Sequence, residues 1–317
     1  MKTLIIAGGN GFLGKILTEY FKSKVEKIVI LSRSEEKIIG NVHYILWDGK
    51  TLGDWSKILD GSDVLINLAG KPVDCRYHQK NKDLILSSRT NSTKVLGQAI
   101  EECSQPPKVW LNSSTATIYR HSLDKEMDET TGEIGQGFSV DVATAWEQEF
   151  FRCTLSNTRQ VALRTSIVLG NQGGAFPTLR NLTKMGFGGK QGNGKQKISW
   201  IHEEDFVHAV HYIIQQKEIS GVINVVSPKP VTNEKFMRLL RKGTGTPFGI
   251  PMGKTLLKIG ARIIQTEPEL ILKSRNVIPK RLVENGFQFN YESIQETITN
   301  LTSNNKSEKI ELQSTHI

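Results

Sequence analysis

Leu4-Ile5-Ile6-Ala7-Gly8-Gly9-Asn10-Gly11-Phe12-Leu13-Gly14 sets a short apolar run directly against a glycine-rich turn, and an amphipathic stretch over 13–21 follows it. Four apolar residues, three of them branched, read as a buried strand, and the pattern after the turn reads as a helix. Gly8, Gly11 and Gly14 fall at the spacing G-x-x-G-x-x-G. Glycine at these three places lets the chain turn sharply out of the strand, approach a pyrophosphate with its backbone, and pack the helix close to the sheet. The helix start offers free N–H groups and the positive end of its dipole to the phosphates. Asn10, Phe12 and Leu13 complete the expected dinucleotide loop.

Working outward, further apolar runs stand at 28–31, 64–68, 109–111 and 161–163, with helical patterns near 84–101 and 142–151. Strand–helix alternation predicts an α/β fold, a doubly wound parallel sheet of the Rossmann kind, with ligands at the carboxyl ends of the strands. The second strand ends Leu31-Ser32-Arg33-Ser34. An NAD-preferring protein usually carries an acid here for the ribose 2′-hydroxyl. A guanidinium between two serines suits a 2′-phosphate instead, so the expected cofactor is NADP(H), with NAD second. Trp47-Asp48 ends a third strand; its carboxylate either meets the adenine amino group or serves a turn. Leu68-Ala69-Gly70 ends the fourth, where small residues let the backbone pass beside the cofactor. Ser113, on the fifth, is placed against the cofactor as well.

The 317 residues would make about two structural units at roughly 150 residues each. The division expected is a dinucleotide-binding domain over 1–246 with substrate-loop insertions at 170–200, a small, mainly helical C-terminal lobe over 247–302, and a flexible tail over 303–317. The loop from Gly188 to Lys197 carries three lysines and reads as mobile. Lysine and arginine number 41 against 32 acids, a net charge of +9. That balance permits an anionic ligand. No aromatic-interleaved basic patch stands out, so nucleic acid is not expected. Cys75, Cys103 and Cys153 are sparse and far apart, which fits reduced thiols and neither a zinc site nor a disulfide framework. The first apolar run breaks at Gly8-Gly9, too early for a secretory segment, and no run reaches the roughly 18 residues of a membrane span. The expectation is a cytoplasmic protein with no metal.

Taken together the motifs resemble the extended short-chain dehydrogenase/reductase superfamily, and more closely a subgroup of NAD(P)-dependent, sugar-epimerase-like proteins. The resemblance runs over about residues 3–298. It rests on Gly8 to Gly14, Asn67-Leu68-Ala69-Gly70, Ser88-Arg89, Trp146-Glu147, Leu163-Arg164-Thr165, Gly173-Gly174, Ser199-Trp200-Ile201-His202 with Asp205, and Pro279-Lys280-Arg281-Leu282 with Gly286-Phe287. It implies a Tyr-x-x-x-Lys pair for proton transfer and a Ser or Thr from the preceding strand to hold the substrate oxygen. Asn112 to Tyr119 resembles the Ser/Thr segment, with Thr115 or Ser114 as the hydroxyl. The pair itself is missing. One alignment puts Asp141 and Ala145 in its places, the other Ser139 and Ala143. Candidates for the proton-transfer role are therefore Tyr119, Asp141, Glu147 and His202. Arg89, Gly174 and Lys190 are placed around a small-molecule substrate, an anionic one such as a nucleotide-linked sugar among the candidates. The expected function is an atypical oxidoreductase or epimerase; the alternative is a non-catalytic NADP(H)-binding redox sensor or regulatory protein. Superfamily members are often homodimers.

Overall fold

The computed structural model describes residues 1–34, 36–253, 257, 267 and 269–303. Twelve strands are named here: β1 Thr3–Ala7, β2 Lys27–Ser32, β3 Lys37–Ile39, β4 Val42–Leu46, β5 Val64–Asn67, β6 Val109–Thr115, β7 Arg159–Thr165, β8 Ile167–Leu169, β9 Lys197–Ile198, β10 Trp200–His202, β11 Gly221–Val225 and β12 Val231–Thr232. The helices are α1 Phe12–Phe21, α2 Gln79–Glu101, α3 Phe138–Phe151, α4 Phe176–Leu182, α5 Glu203–Gln215, α6 Asn233–Thr244, α7 Glu269–Leu272 and α8 Lys280–Glu284. A further helical stretch covers 294–303.

Eight strands form one sheet in the order β11-β7-β6-β5-β1-β2-β4-β3, and every neighbouring pair is parallel except β3 with β4. This is the doubly wound Rossmann arrangement that strand–helix alternation predicts. The winding direction reverses at β1, whose Ala7 pairs with Leu31 on one side and Asn67 on the other. That register lines up the carboxyl ends of β1, β2 and β5, so the glycine turn opens at the switch point.

Alternation along each strand explains the two layers. Leu4, Ile6, Ile28, Ile30 and Ile66 face Leu17 and Phe21 of α1 and Phe206 and Val210 of α5. Ile5, Ala7, Val29, Leu31 and Leu65 face Val95 and Leu96 of α2 and Phe150 of α3. Both faces are covered, so the strands read as unbroken apolar runs. A third cluster joins Phe176, Trp200, Phe236, Met237 and Leu240 to Ile294, Ile298 and Leu301, which seats the C-terminal helical region on α4, β10 and α6.

The loop between Gly188 and Lys197 differs from the mobile segment its composition suggests. Asn233 accepts from the Gln191 N–H at 2.8 Å and donates to Gln191 Oε1 at 2.9 Å. Gln196 Nε2 donates to the Gln191 carbonyl at 2.9 Å. Gln191, Gln196 and Asn233 are all buried. Reciprocal side-chain bonds of this kind pin a loop, and composition does not reveal them. The tail expected from 303 onward lies, apart from Ser303, outside the described residues, as do 254–256, 258–266 and Pro268 of the expected lobe.

Candidate active site

The glycine turn has the conformation that a phosphate cradle requires. Gly8 has φ +77°, and a Cβ there would come within 2.8 Å of the Ala69 backbone. Gly14 is equally closed, with the Gly9 carbonyl 2.3 Å from a Cβ. Gly11 is different. Its φ of −76° suits any residue, and the nearest atom to a Cβ would be the Gly8 oxygen at 3.9 Å. The protein therefore fixes Gly8 and Gly14 itself, and at Gly11 it leaves open space at the start of α1. No side chain caps that helix, so its first N–H groups face the same space. The residues present fit a dinucleotide. Gly11→Ala is expected to lower dinucleotide affinity about tenfold or more with the melting midpoint of the ligand-free protein unchanged. Gly8→Ala, forced into a positive φ, is expected to lower that midpoint. Thermal melts alongside ligand titration separate the two, and equal loss of stability in both variants would refute the distinction.

At the end of β2, Asn10 donates to Ser34 Oγ at 3.1 Å and the Ser34 N–H donates to Ser32 Oγ at 3.2 Å. These bonds tie the glycine turn to β2, and Arg33 stands exposed between the two serines. Trp47 is buried, edge-to-face with Trp55 at 5.1 Å. Asp48 accepts from the Lys50 and Thr51 N–H groups and from Thr51 Oγ1, which holds its carboxyl below the usual range. It secures a turn. Ala69 donates its N–H to Asn67 Oδ1 at 3.0 Å, which folds the Leu68-Ala69-Gly70 backbone against Gly8. Arg89 bonds the carbonyls of Lys71 at 3.0 Å and Ile85 at 2.9 Å and lies over the Trp146 ring. Burial pulls its guanidinium down to about 10. It braces the loop that follows β5.

The end of β6 sorts the two candidate hydroxyls by strand alternation. Ser114 is buried and donates to Glu147 Oε1 at 2.5 Å. Ser113 and Thr115 point the other way and are half-buried. Thr115 Oγ1 donates to Thr117 Oγ1 at 3.0 Å and accepts from the Thr117 N–H. Tyr119 is only 1% exposed. Its hydroxyl accepts from Arg164 Nη1 at 2.9 Å and donates to Asn224 Oδ1 at 3.0 Å, and burial pushes it above the usual phenol range. Arg164 clamps Glu147 through two bonds, at 2.8 and 2.7 Å. Ser114, Glu147, Arg164, Tyr119 and Asn224 thus form one buried network that knits β6, α3, β7 and β11. Asp141 lies exposed in the first turn of α3.

His202 is 1% exposed and caps α5, its Nδ1 accepting from the Glu204 N–H at 3.1 Å. Nε2 meets Asn300 Oδ1 at 3.2 Å, and the ring stacks on Tyr291 at 3.8 Å. Asp205 accepts from the N–H groups of Asn290 and Tyr291. This corner fastens the C-terminal region to the sheet. Burial lowers the His202 pKa to about 4. Because the unfolded value is near 6.5, the unfolded chain binds the proton first, and stability falls as pH drops from about 6.5 towards 4. The loss is on the order of 3 kcal/mol. Asp205 and Glu203, raised by burial, act in the opposite direction. Urea midpoints of wild type and His202→Asn at pH 7 and pH 5 isolate the histidine part; equal losses in both proteins would sink the assignment.

Gly174, at φ +68°, and Gly173 pack on the Phe12 ring, so the β8–α4 loop touches the glycine turn directly. Lys190 is exposed. Sequence reasoning missed the groups that arrive from far along the chain. Glu267 accepts from the Tyr77 N–H at 2.7 Å and pairs with Arg76 at 3.3 Å. Arg275 Nε donates to Thr117 Oγ1 at 3.2 Å, and Lys273 Nζ lies 3.4 Å from the Thr117 carbonyl. Tyr77 lies against Ser139, and burial pushes its phenol up to about 12. Ser139 Oγ and Ser166 Oγ are buried without a well-formed hydrogen bond among the described residues. No group of three metal-ligating side chains occurs among the described residues, and no helix there is long and apolar enough to cross a membrane.

A glycine cradle at the switch point of a parallel sheet, with hydroxyls at the ends of the neighbouring strands, defines a dinucleotide-dependent protein of the extended short-chain dehydrogenase/reductase type. Residues 4–225 match the NAD dependent epimerase/dehydratase family, and the chain belongs to it. Residues 254–301 match DUF1731, a domain of unknown function. Epimerase family protein YfhF of Bacillus subtilis is 31% identical over 305 residues, covering 96% of this chain and 99% of the relative. The crystal structure of human epimerase family protein SDR39U1 with NADPH is similar at a TM-score of 0.85 and 27% identity, covering 95% of this chain and 99% of that one. A nucleoside-diphosphate sugar epimerase from Corynebacterium glutamicum has a TM-score of 0.76 at 28% identity, covering 95% of this chain and 58% of that one.

Proposed function

We propose that the protein binds NADP(H) and moves hydride between the nicotinamide and a hydroxyl or carbonyl carbon of a small-molecule substrate. The observation that carries this is the open space at Gly11 beside an uncapped α1. The exposed Arg33 at the end of β2 favours the phosphorylated cofactor, and the NADPH in the human relative's structure supports the same choice. Gly8, Asn10, Gly11, Phe12, Leu13 and Gly14 would hold the pyrophosphate, Ser32, Arg33 and Ser34 the 2′-phosphate, and Leu68 to Gly70 with Ser113 the central part. When bound, the nicotinamide supplies the hydride donor or acceptor.

Thr115 is the hydroxyl this reading assigns to the substrate oxygen, because Ser114 is committed to Glu147. The network of Glu147, Arg164 and Tyr119 holds β6 and α3 in register around it. Tyr119 and His202 serve the frame. The names of the relatives favour a nucleotide-sugar-like substrate; Arg89 would act by bracing the loop over it. In the same reading residues 1–246 form the cofactor domain, 247–302 close the cleft, and the protein works in the cytoplasm, as a homodimer.

The test is to denature the purified protein and identify the released small molecules by mass spectrometry, then titrate NADPH and NADH and assay turnover against a metabolite extract. Bound NADP(H) with turnover is expected. A protein that binds neither dinucleotide overturns the reading. Tight NADPH binding with no turnover would point to a redox sensor, a reading favoured by the burial of both Tyr119 and His202.

A further inference from the structure

Residues 273–275 return to the end of β6. Glu267 holds the loop after β5 through Arg76 and Tyr77. Six residues further on, Lys273 and Arg275 straddle Thr117, which is bonded to Thr115. Arg275 is 8% exposed and also donates to the Lys273 carbonyl at 3.2 Å. The Lys273 side chain is 10% exposed. Among the described residues its ion pair is with Glu269 at 3.8 Å, and its contact with the Thr117 carbonyl is 3.4 Å. Both are long for a charged donor, whose good bonds run at about 2.7–2.9 Å. Withdrawing an ammonium from water is costly unless close partners compensate it, and among the described residues no closer partner stands beside it. Fold stability therefore does not account for this lysine. Helix α3, where the superfamily's ammonium would stand, offers Ala143 or Ala145 instead.

We propose that Lys273, carried by the segment that matches the domain of unknown function, is the cation that stabilises negative charge developing on the substrate oxygen next to Thr115. The inference rests on the hydride-transfer reading above. In the reducing direction the carbonyl carbon gains hydride from the reduced nicotinamide. The C=O π pair moves onto oxygen, which takes a proton from Nζ. The cofactor is left oxidised, and the neutral amine regains its proton from solvent. Burial and the neighbouring Arg275 draw the ammonium down from its usual range, which assists that transfer. Residues 273–275 thus give the C-terminal module a chemical role: it completes the site with the charge that α3 lacks.

The experiment uses the full chain with NADPH and phenanthrenequinone as the carbonyl probe. Lys273→Met is expected to lower kcat about 100-fold with NADPH affinity unchanged, and Lys273→Arg, which keeps the charge, to recover part of the loss. The thermal midpoint of Lys273→Met is expected to stay level or rise, since a poorly compensated buried charge has been removed. Unchanged kcat in Lys273→Met overturns the inference alone. So does a fall of several degrees in midpoint with activity lost only in proportion, which would make Lys273 a structural tether. A wild-type protein that binds no NADPH, or binds it and reduces no carbonyl, overturns the proposed function, and the role of Lys273 falls with it.

Discussion

Arg33→Glu is expected to weaken NADPH binding roughly 100-fold while NADH binding holds or improves. Charge-assisted hydrogen bonds contribute about 1.5–3 kcal/mol, which is roughly 10- to 150-fold in affinity, and a carboxylate in place of the guanidinium adds repulsion. The geometry favours a large effect. Asn10, Ser34 and Ser32 are bonded in series and hold the end of β2 against the glycine turn. The Arg33 backbone is thereby fixed while its side chain remains exposed. The nearby Glu36 is turned towards the Leu46 N–H at 3.4 Å. The introduced acid is suited to a ribose 2′-hydroxyl, hence the gain expected for NADH. Fluorescence titration with both cofactors checks it, at two salt concentrations, because an exposed charge pair weakens with ionic strength. Equal losses for both cofactors would show that Arg33 does not read the 2′-phosphate.

Arg164→Met is expected to be the most destabilising of the changes considered. Arg164 is 8% and Glu147 9% exposed, and the clamp between them is the centre of the network from Ser114 to Asn224. Removing the guanidinium leaves a buried carboxylate without its cation, at a cost of about 3–5 kcal/mol. At about 2–4 °C per kcal/mol this lowers the melting midpoint by roughly 10 °C. The double variant Arg164→Met/Glu147→Gln removes both charges and is expected to recover much of the loss, because the penalty belongs to the orphaned charge more than to the missing bond. Calorimetry of the three proteins decides it. If the double variant is as unstable as the single one, the network stabilises through packing and the electrostatic account is wrong.

These two sites differ in how much of each is local in sequence. The expectation for Arg33 rests on local sequence. It follows the apolar strand β2 directly, and the bonds around its backbone join Ser32, Ser34 and Asn10. The glycine turn was legible for the same reason: spacing, strand and helix are contiguous. Glu147 and Arg164 are 17 residues apart. They meet because Ser114 and Arg164 are register partners in the sheet and α3 packs over them. No pattern within one element encodes that.

The sequence by itself determined the alternating fold, the glycine turn after the first strand and the absence of the Tyr-x-x-x-Lys pair from α3; the reversal of the sheet at β1 came from the strand order. Hydrophobic period and glycine sterics act over a few residues, so they are written where they act. Tertiary structure alone decided the rest. Burial placed Tyr119 and His202 inside hydrogen-bonded networks that the sequence does not show. Strand alternation separated Thr115 from Ser114. The return of the C-terminal segment put Lys273 and Arg275 beside Thr117, some 156 residues from Lys273 in the chain. Burial and long-range contact depend on how elements pack, and a chain fixes that only once it has folded.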